Sequence, residues 1–287
     1  MDEKAPAVKI GILDYYLSNW HADHYPAWIE RYNRENGTSY RVAYAWAESE
    51  VSPVTGKTTD DWCREQGVEA CATAEEVCEK SDVLMILAPS DPDKHLPYAG
   101  IALPYGKPTY IDKTFAPDTA TAKAIFALAA EYKTPFFSTS ALRYAGELRD
   151  FRGAQSLTVT GRGRDMAEYI IHPIEMAVSI MGTGALRVRT ESRGEEYRIG
   201  IDYGESRTAT VLFSPEYPYG VEAVMADGTK KQTAVTSEYF YALLADICRF
   251  YGDGQLSFDP AETLEVAAVR EAALKSRGEW VSLPTEV

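Results

Sequence analysis

Residues 7–13, AVKIGIL, and residues 83–88, VLMILA, decide how this chain folds. Each is a short apolar run with little polar alternation, the pattern of a strand covered on both faces. Tyr40 to Trp46, Thr109 to Ile111 and Phe136 to Ser138 read as further strands. Helical stretches separate them: one running to about Glu35 and stopped by Asn36-Gly37, a short one at Thr58 to Gly67, then Lys94 to Leu103 and Asp118 to Lys133. Thr73-Ala74-Glu75-Glu76 resembles a capping box that opens another helix before Asp82. Strands alternating with helices predict an α/β domain built on a doubly wound parallel sheet.

After about Ser140 the pattern changes. Ser156 to Thr160, Leu186 to Thr190, Tyr197 to Asp202, Thr208 to Phe213, Gly220 to Met225 and Gln232 to Val235 read as strands, several of alternating polarity. Turns such as Asp227-Gly228 join them, so this sheet is expected to be mostly antiparallel. A helix near Asp165 to Met181 and two more at Ser237 to Tyr251 and Pro260 to Ser276 complete an α+β domain. The expected division is 1–140 and 141–287.

The 287 residues carry 29 Lys and Arg against 43 Asp and Glu, a formal charge of −14. That surplus argues against nucleic acid as a partner, since a phosphate backbone needs a basic face. No apolar run approaches the roughly 20 residues of a membrane helix, and the start lacks a signal core, so the cytoplasm is the expected location. Cys63, Cys71, Cys78 and Cys248 have neither zinc-site spacing nor the density of a disulfide scaffold.

Two constellations could carry chemistry. Lys113 follows a strand whose carboxyl end should face the ligand crevice, where an ammonium can stabilise a developing alkoxide. A solvated surface lysine would read the same. Glu168, His172 and Glu175, spaced i, i+4 and i+7, share one face of a single helix. A histidine flanked by acids suits a general base near neutral pH, although a structural histidine is an equal reading. His21 and His24, with Asp14 and Asp23 nearby, lack the ligand spacing of a metal site, so no metal is expected.

Taken together, these stretches give an end-to-end resemblance to the Gfo/Idh/MocA family (glucose–fructose oxidoreductase, inositol dehydrogenase and relatives). AVKIGIL, VLMILAPSDPDKH, GKPTYIDKTFAP, STSALRYAGEL, IIHPIEMAVSIMGTG and the tail FDPAETLEVAAVREAALKSRGEWVSLP carry it. The resemblance implies a Rossmann domain followed by an α+β domain, and an oxidoreductase using NAD or NADP on a sugar or polyol carbon. It implies catalytic roles for Lys113, His172 and Glu168, with Glu168 orienting the histidine. Cofactor contacts would come from Gly11, Asp14, Ser18, Asn19, Glu48, Pro89, His95 and Asp112, though capping or packing also suits His95. Arg143, Tyr144, Tyr169 and Glu175 would line the substrate pocket, and the open sheet would pair copies into a homo-oligomer.

The chain departs from that family at the phosphate loop. Where a glycine-rich turn should begin it reads Asp14-Tyr15-Tyr16-Leu17-Ser18-Asn19. A carboxylate about 4 Å from a phosphate costs roughly 1 to 4 kcal/mol. Glu48 is the nearest acid to the second strand's end and leans towards NAD, because it would repel a 2′-phosphate. Asp112-Lys113-Thr114 lacks the proline of the family's EKP. The alternative these departures leave open is a cofactor-poor carbohydrate-binding or accessory protein, or a non-redox proton-transfer enzyme.

Overall fold

The computed structural model describes residues 7–284 and divides the chain into two compact units. The first comprises residues through Ala116, then 120–138 and 244–257; the second takes 117–119, 139–243 and the chain from Phe258 on.

The first unit is the expected α/β sheet. In chain order its elements are β1 (Val8–Asp14), α1 (Trp20–Asn36), β2 (Tyr40–Ala47), α2 (Thr59–Gln66), β3 (Glu69–Ala70), α3 (Ala74–Lys80), β4 (Val83–Ile86), α4 (His95–Ala102), β5 (Thr109–Ile111), α5 (Thr119–Tyr132) and β6 (Phe136–Ser138). The strands are parallel in the order β3-β2-β1-β4-β5-β6, the arrangement of a Rossmann sheet. All four residues of β4 are buried, as are Ile10, Ile12 and Leu13 of β1, which explains why neither run alternates. Helix α1 begins where the Asn19 side chain accepts a bond from Ala22 N and ends at Gly37, which takes the left-handed conformation (φ 66°).

There follow β7 (Ala154–Gly161), α6 (Met166–Tyr169), α7 (Ile171–Met181), β8 (Arg187–Arg193), β9 (Glu196–Asp202), β10 (Thr208–Phe213), β11 (Gly220–Met225), β12 (Lys230–Ala234), α8 (Tyr239–Asp253), α9 (Ala261–Lys275) and β13 (Val281–Ser282), all in the second unit except α8 from Leu244 on. The sheet order is β12-β11-β7-β10-β9-β8-β13, antiparallel apart from the β7–β10 pair. Residues of α7 and α9 join inward-facing sheet residues such as Val159, Val188 and Val211 in one apolar core. Among the described residues no helix is long and apolar enough to cross a membrane.

Two expectations change. The expected single helix over Asp165 to Met181 is two helices meeting at Ile170. Pro173 explains the break: it has no amide to give Tyr169 O, and its ring crowds that carbonyl. The division at 140/141 also moves, because 244–257 belongs to the first unit. There the Tyr251 hydroxyl donates to Leu84 O at 2.6 Å and the Phe250 ring meets Phe137 edge-on.

Gly11, expected at the cofactor, instead lets α3 pack against β1. A Cβ there would lie 2.1 Å from Ser81 Oγ and 2.6 Å from Val77 Cγ1. Gly11→Ala should therefore cost about 1–3 kcal/mol of stability by overpacking, measured by urea denaturation; a change under a few tenths would contradict the tight contact.

Candidate functional site

The crevice of a doubly wound sheet lies at the carboxyl ends of its strands, where the order reverses; here that is between β1 and β4. Asp14 ends β1 and is completely buried. Its Oδ1 accepts from Tyr15 N at 2.7 Å and Ala88 N at 2.9 Å, and its Oδ2 accepts from Asn19 Nδ2 at 2.7 Å. Burial raises its carboxyl to about 7, against the pull of those three donors. The acid feared at the phosphate position thus points inward and is satisfied there.

Ser18 and Asn19 are also spent on the loop itself. Ser18 takes a left-handed backbone (φ 59°), a conformation that glycine favours. Its carbonyl accepts from Ser52 Oγ at 3.0 Å and its hydroxyl from Thr55 Oγ1 at 3.1 Å. Asn19 donates to Asp14 and to Tyr16 O while capping α1. The side chains of Asp14, Ser18 and Asn19, expected to touch cofactor, are all buried. They brace the turn rather than face a ligand.

Glu48, immediately after β2, stays on the surface. Lys94 Nζ donates to its Oε1 at 2.5 Å and the Tyr98 hydroxyl to its Oε2 at 2.8 Å. The Lys94 bond holds this carboxyl below the usual range. Lys94 also lies over the Tyr15 ring, 4.7 Å from its centroid. Neither Lys94 nor Tyr98 carried a signal in the sequence, since a lysine on a loop and a tyrosine on a short helix are ordinary.

At the end of β5, Lys113 is partly exposed and donates from Nζ to Pro89 O at 2.9 Å; the peptide after it is cis. Pro89 thus meets Lys113 through its carbonyl. Asp112, expected to touch cofactor, is instead completely buried and accepts from the Tyr110 hydroxyl at 2.9 Å. Its Oδ2 lies 3.0 Å from His21 Nδ1, but off the hydrogen-bonding direction, so that oxygen has no aligned donor. His21 Nδ1 also lies 3.1 Å from the Tyr25 hydroxyl. Burial raises Asp112 to about 6. His95 is a packing residue: fully buried, its ring nitrogens face Leu87 O at 2.6 Å and Phe115 O at 2.9 Å. Burial disfavours its charged form.

The second unit carries the other cluster. His172 is 7% exposed, and its Nδ1 lies 2.7 Å from Ser140 Oγ. Glu168, expected to orient the histidine, pairs with Arg164 at 3.2 Å from the separate helix α6. Ser140 is one partner of the imidazole, and it lies within the quoted STSALRY stretch but has no fixed spacing to His172. Arg143 and Glu175, expected at a substrate pocket, are internal. Glu175 Oε1 accepts from Arg143 Nε at 2.6 Å and Thr139 Oγ1 at 2.7 Å, and the guanidinium bonds Glu262 and lies 4.1 Å over Phe258. Tyr144 and Tyr169 are partly exposed, and the Tyr169 ring lies 6.0 Å from that of His172.

No family model matches the sequence, and no curated protein matches it. Solved structures match its fold over nearly the whole length. GenD2 from gentamicin A biosynthesis, in complex with NAD, shares 14% identity at a TM-score of 0.77, covering 99% of this chain and 98% of its own. The myo-inositol 2-dehydrogenase of Lactobacillus plantarum shares 13% at 0.76, covering 97% and 100%. The scyllo-inositol dehydrogenase of Lactobacillus casei, with bound NAD(H) and scyllo-inositol, shares 14% at 0.73, covering 96% and 99%. At these identities the likeness shows the fold: a Rossmann-like unit plus a unit with a mostly antiparallel sheet.

The buried carboxyls predict a pH dependence. Asp14 and Asp112 sit at about 7 and about 6 in the fold, against 3.8 ordinarily. Between about pH 4 and 7 the folded chain therefore keeps protons the unfolded chain has released, and stability falls as pH rises through that window. Asp14→Asn removes one such group, so its unfolding free energy, followed by denaturant titration at each pH, should decline less steeply than that of the parent. Equal slopes would mean that Asp14 is already ionised at low pH.

Proposed function

We propose that this chain is an NAD(P)-dependent oxidoreductase acting on a hydroxyl-bearing carbon of a sugar or polyol. The observation that carries the reading is the full-length match to folds solved with NAD bound, one of them a scyllo-inositol dehydrogenase that also holds scyllo-inositol. The residues of the crevice fit a dinucleotide. The Asp14 carboxyl, the main objection to a phosphate, is turned away from the surface, and burial raises it to about 7. Ser18 supplies the left-handed turn, and the loop leads into the 17-residue helix α1, whose N-terminal dipole favours an anion. Glu48 offers a carboxylate at the end of β2 for the adenosine ribose.

A bound nicotinamide would supply hydride transfer; everything else falls to the chain. Lys113, held by the Pro89 carbonyl, presents an ammonium that favours negative charge on a substrate oxygen. His172 is the proposed base. The tautomer that donates Nδ1–H to Ser140 leaves Nε2 as the basic nitrogen, so Ser140 takes the positioning role the sequence gave to Glu168. The face of the second unit's sheet away from its helices, bearing Thr158, Arg189 and Arg198, is the proposed contact between copies in a homo-oligomer.

Thermal denaturation with dinucleotide tests the cofactor. At about 100 times its dissociation constant, NAD or NADP should add roughly 2.7 kcal/mol of apparent stability. A melting curve unmoved by millimolar amounts of either rejects the reading. Lys113→Ala and His172→Ala should lower turnover on a polyol panel by at least about a hundredfold while keeping the ligand-induced shift. Variants with parental turnover would strip both residues of the assigned chemistry.

A further inference from the structure

We infer that the buried group Thr139, Arg143 and Glu175 is the positioning element of the His172 imidazole: it holds the Ser140 hydroxyl against Nδ1, so that one tautomer, with Nε2 basic, is presented. The inference rests on the proposed role of His172 as the base and goes beyond it by assigning a role to three internal residues.

Two adjacent residues meet two residues one helical turn apart. Ser140 Oγ lies 2.7 Å from His172 Nδ1, and Thr139 Oγ1 donates to Glu175 Oε1 at 2.7 Å. His172 and Glu175 are three apart on α7 and so share a face. The Thr139-Ser140 segment is thus docked on that face by two hydroxyls at once. Arg143 closes the arrangement through its backbone and its side chain. Its amide donates to Ser140 O at 3.1 Å, within the 3-10 turn Ala141–Tyr144. Its Nε donates to Thr139 Oγ1 at 3.1 Å and to Glu175 Oε1 at 2.6 Å. Its Nη1 bonds Glu262 on α9, and the guanidinium lies over the Phe258 ring.

Thr139, Ser140, Glu175 and the Arg143 side chain are all buried. A buried ion pair is weak evidence for stability, because apolar side chains of similar volume often serve as well. What an apolar pair cannot do is aim a hydroxyl. The planar guanidinium fork fixes Thr139, Glu175 and Glu262 relative to one another, which a flexible ammonium would not. Leu142 N donates to Ser140 Oγ at 3.4 Å, and the remaining lone pair of that oxygen is the one offered to Nδ1–H. The hydrogen bond at one ring nitrogen sets the tautomer of a neutral imidazole. If Ser140 drifts, the Nε2–H form competes, and that form has no lone pair at Nε2 with which to act as a base.

The test uses the full-length chain and two readouts: kcat and KM on the polyol panel, and nitrogen NMR of the neutral imidazole, with the His172 signals assigned through His172→Ala. The parent should show a single tautomer protonated at Nδ1. Thr139→Val, which removes one hydroxyl and keeps the shape, should mix the two tautomers and lower kcat at least about tenfold with KM unchanged. Thr139→Ser should restore both. The double variant Arg143→Met/Glu175→Leu replaces the ion pair by apolar groups and should fold, yet repeat both losses; should it not fold, Thr139→Val decides alone. A parent that already mixes tautomers overturns the proposal. So does Thr139→Val with parental kcat and a single tautomer, a loss that Thr139→Ser fails to restore, or a folded double variant that matches the parent. If the parent turns over no polyol but its single tautomer is lost in Thr139→Val, the oxidoreductase reading falls and the positioning stands.

Discussion

The carboxyl of Asp14 is the point from which the crevice is built. Two of its donors are amides from the turn after β1 and the segment after β4, and the third is the side chain that caps α1. One group therefore fixes the two central strand ends and the start of the first helix against each other. Burying a carboxylate is costly unless it is paired or protonated. Here three hydrogen bonds and a carboxyl raised to about 7 share that cost. Glycines would make such a turn by backbone freedom alone; this chain makes it with side chains, and Ser18 bears the one left-handed residue.

The same logic extends along the sheet edge. Asp112 lies beyond β4 from Asp14, and its charge adds to the tendency of Asp14 to hold a proton. Tyr110 donates to Asp112, while His21 from α1 stands beside both Asp112 and Tyr25. The first turn of α1 is thereby tied to β5 as well as β1, and the residue after Asp112 is Lys113. The position of that ammonium is thus set by buried groups on either side of the strand end, including the Pro89 carbonyl that accepts from it.

The architecture was legible because it rests on periodicity. AVKIGIL and VLMILA are apolar on both faces, and the strands beyond Ser140 alternate, so burial alone separates the two sheets. Lys113 and His172 were legible as candidates for chemistry through their place after a strand and on a helix. Their partners were not. Ser140 lies 32 residues from His172 and Glu48 lies 46 from Lys94, separations that carry no local pattern. The spacing of Glu168 and His172 presumes one helix, and Pro173 divides that stretch into two. Arg143 and Glu175 are paired with each other inside the second unit, and nothing in their sequence spacing announces that pairing.

Asp14 and Glu48 lie at the ends of adjacent strands and are pushed in opposite directions, one up by burial and the other down by Lys94. Near neutral pH the inner acid is thus only about half ionised, and the outer one is ionised but compensated. The crevice then shows an approaching dinucleotide far less negative charge than its sequence suggests. That matters in a chain of net charge −14, whose long-range field opposes any anion. Any anion drawn to the crevice would have to be favoured locally, by groups such as the dipole of α1 and the ammonium of Lys113. In this fold the loss of the glycines is offset by moving the offending charge inside, so the composition of the loop misstates its electrostatics.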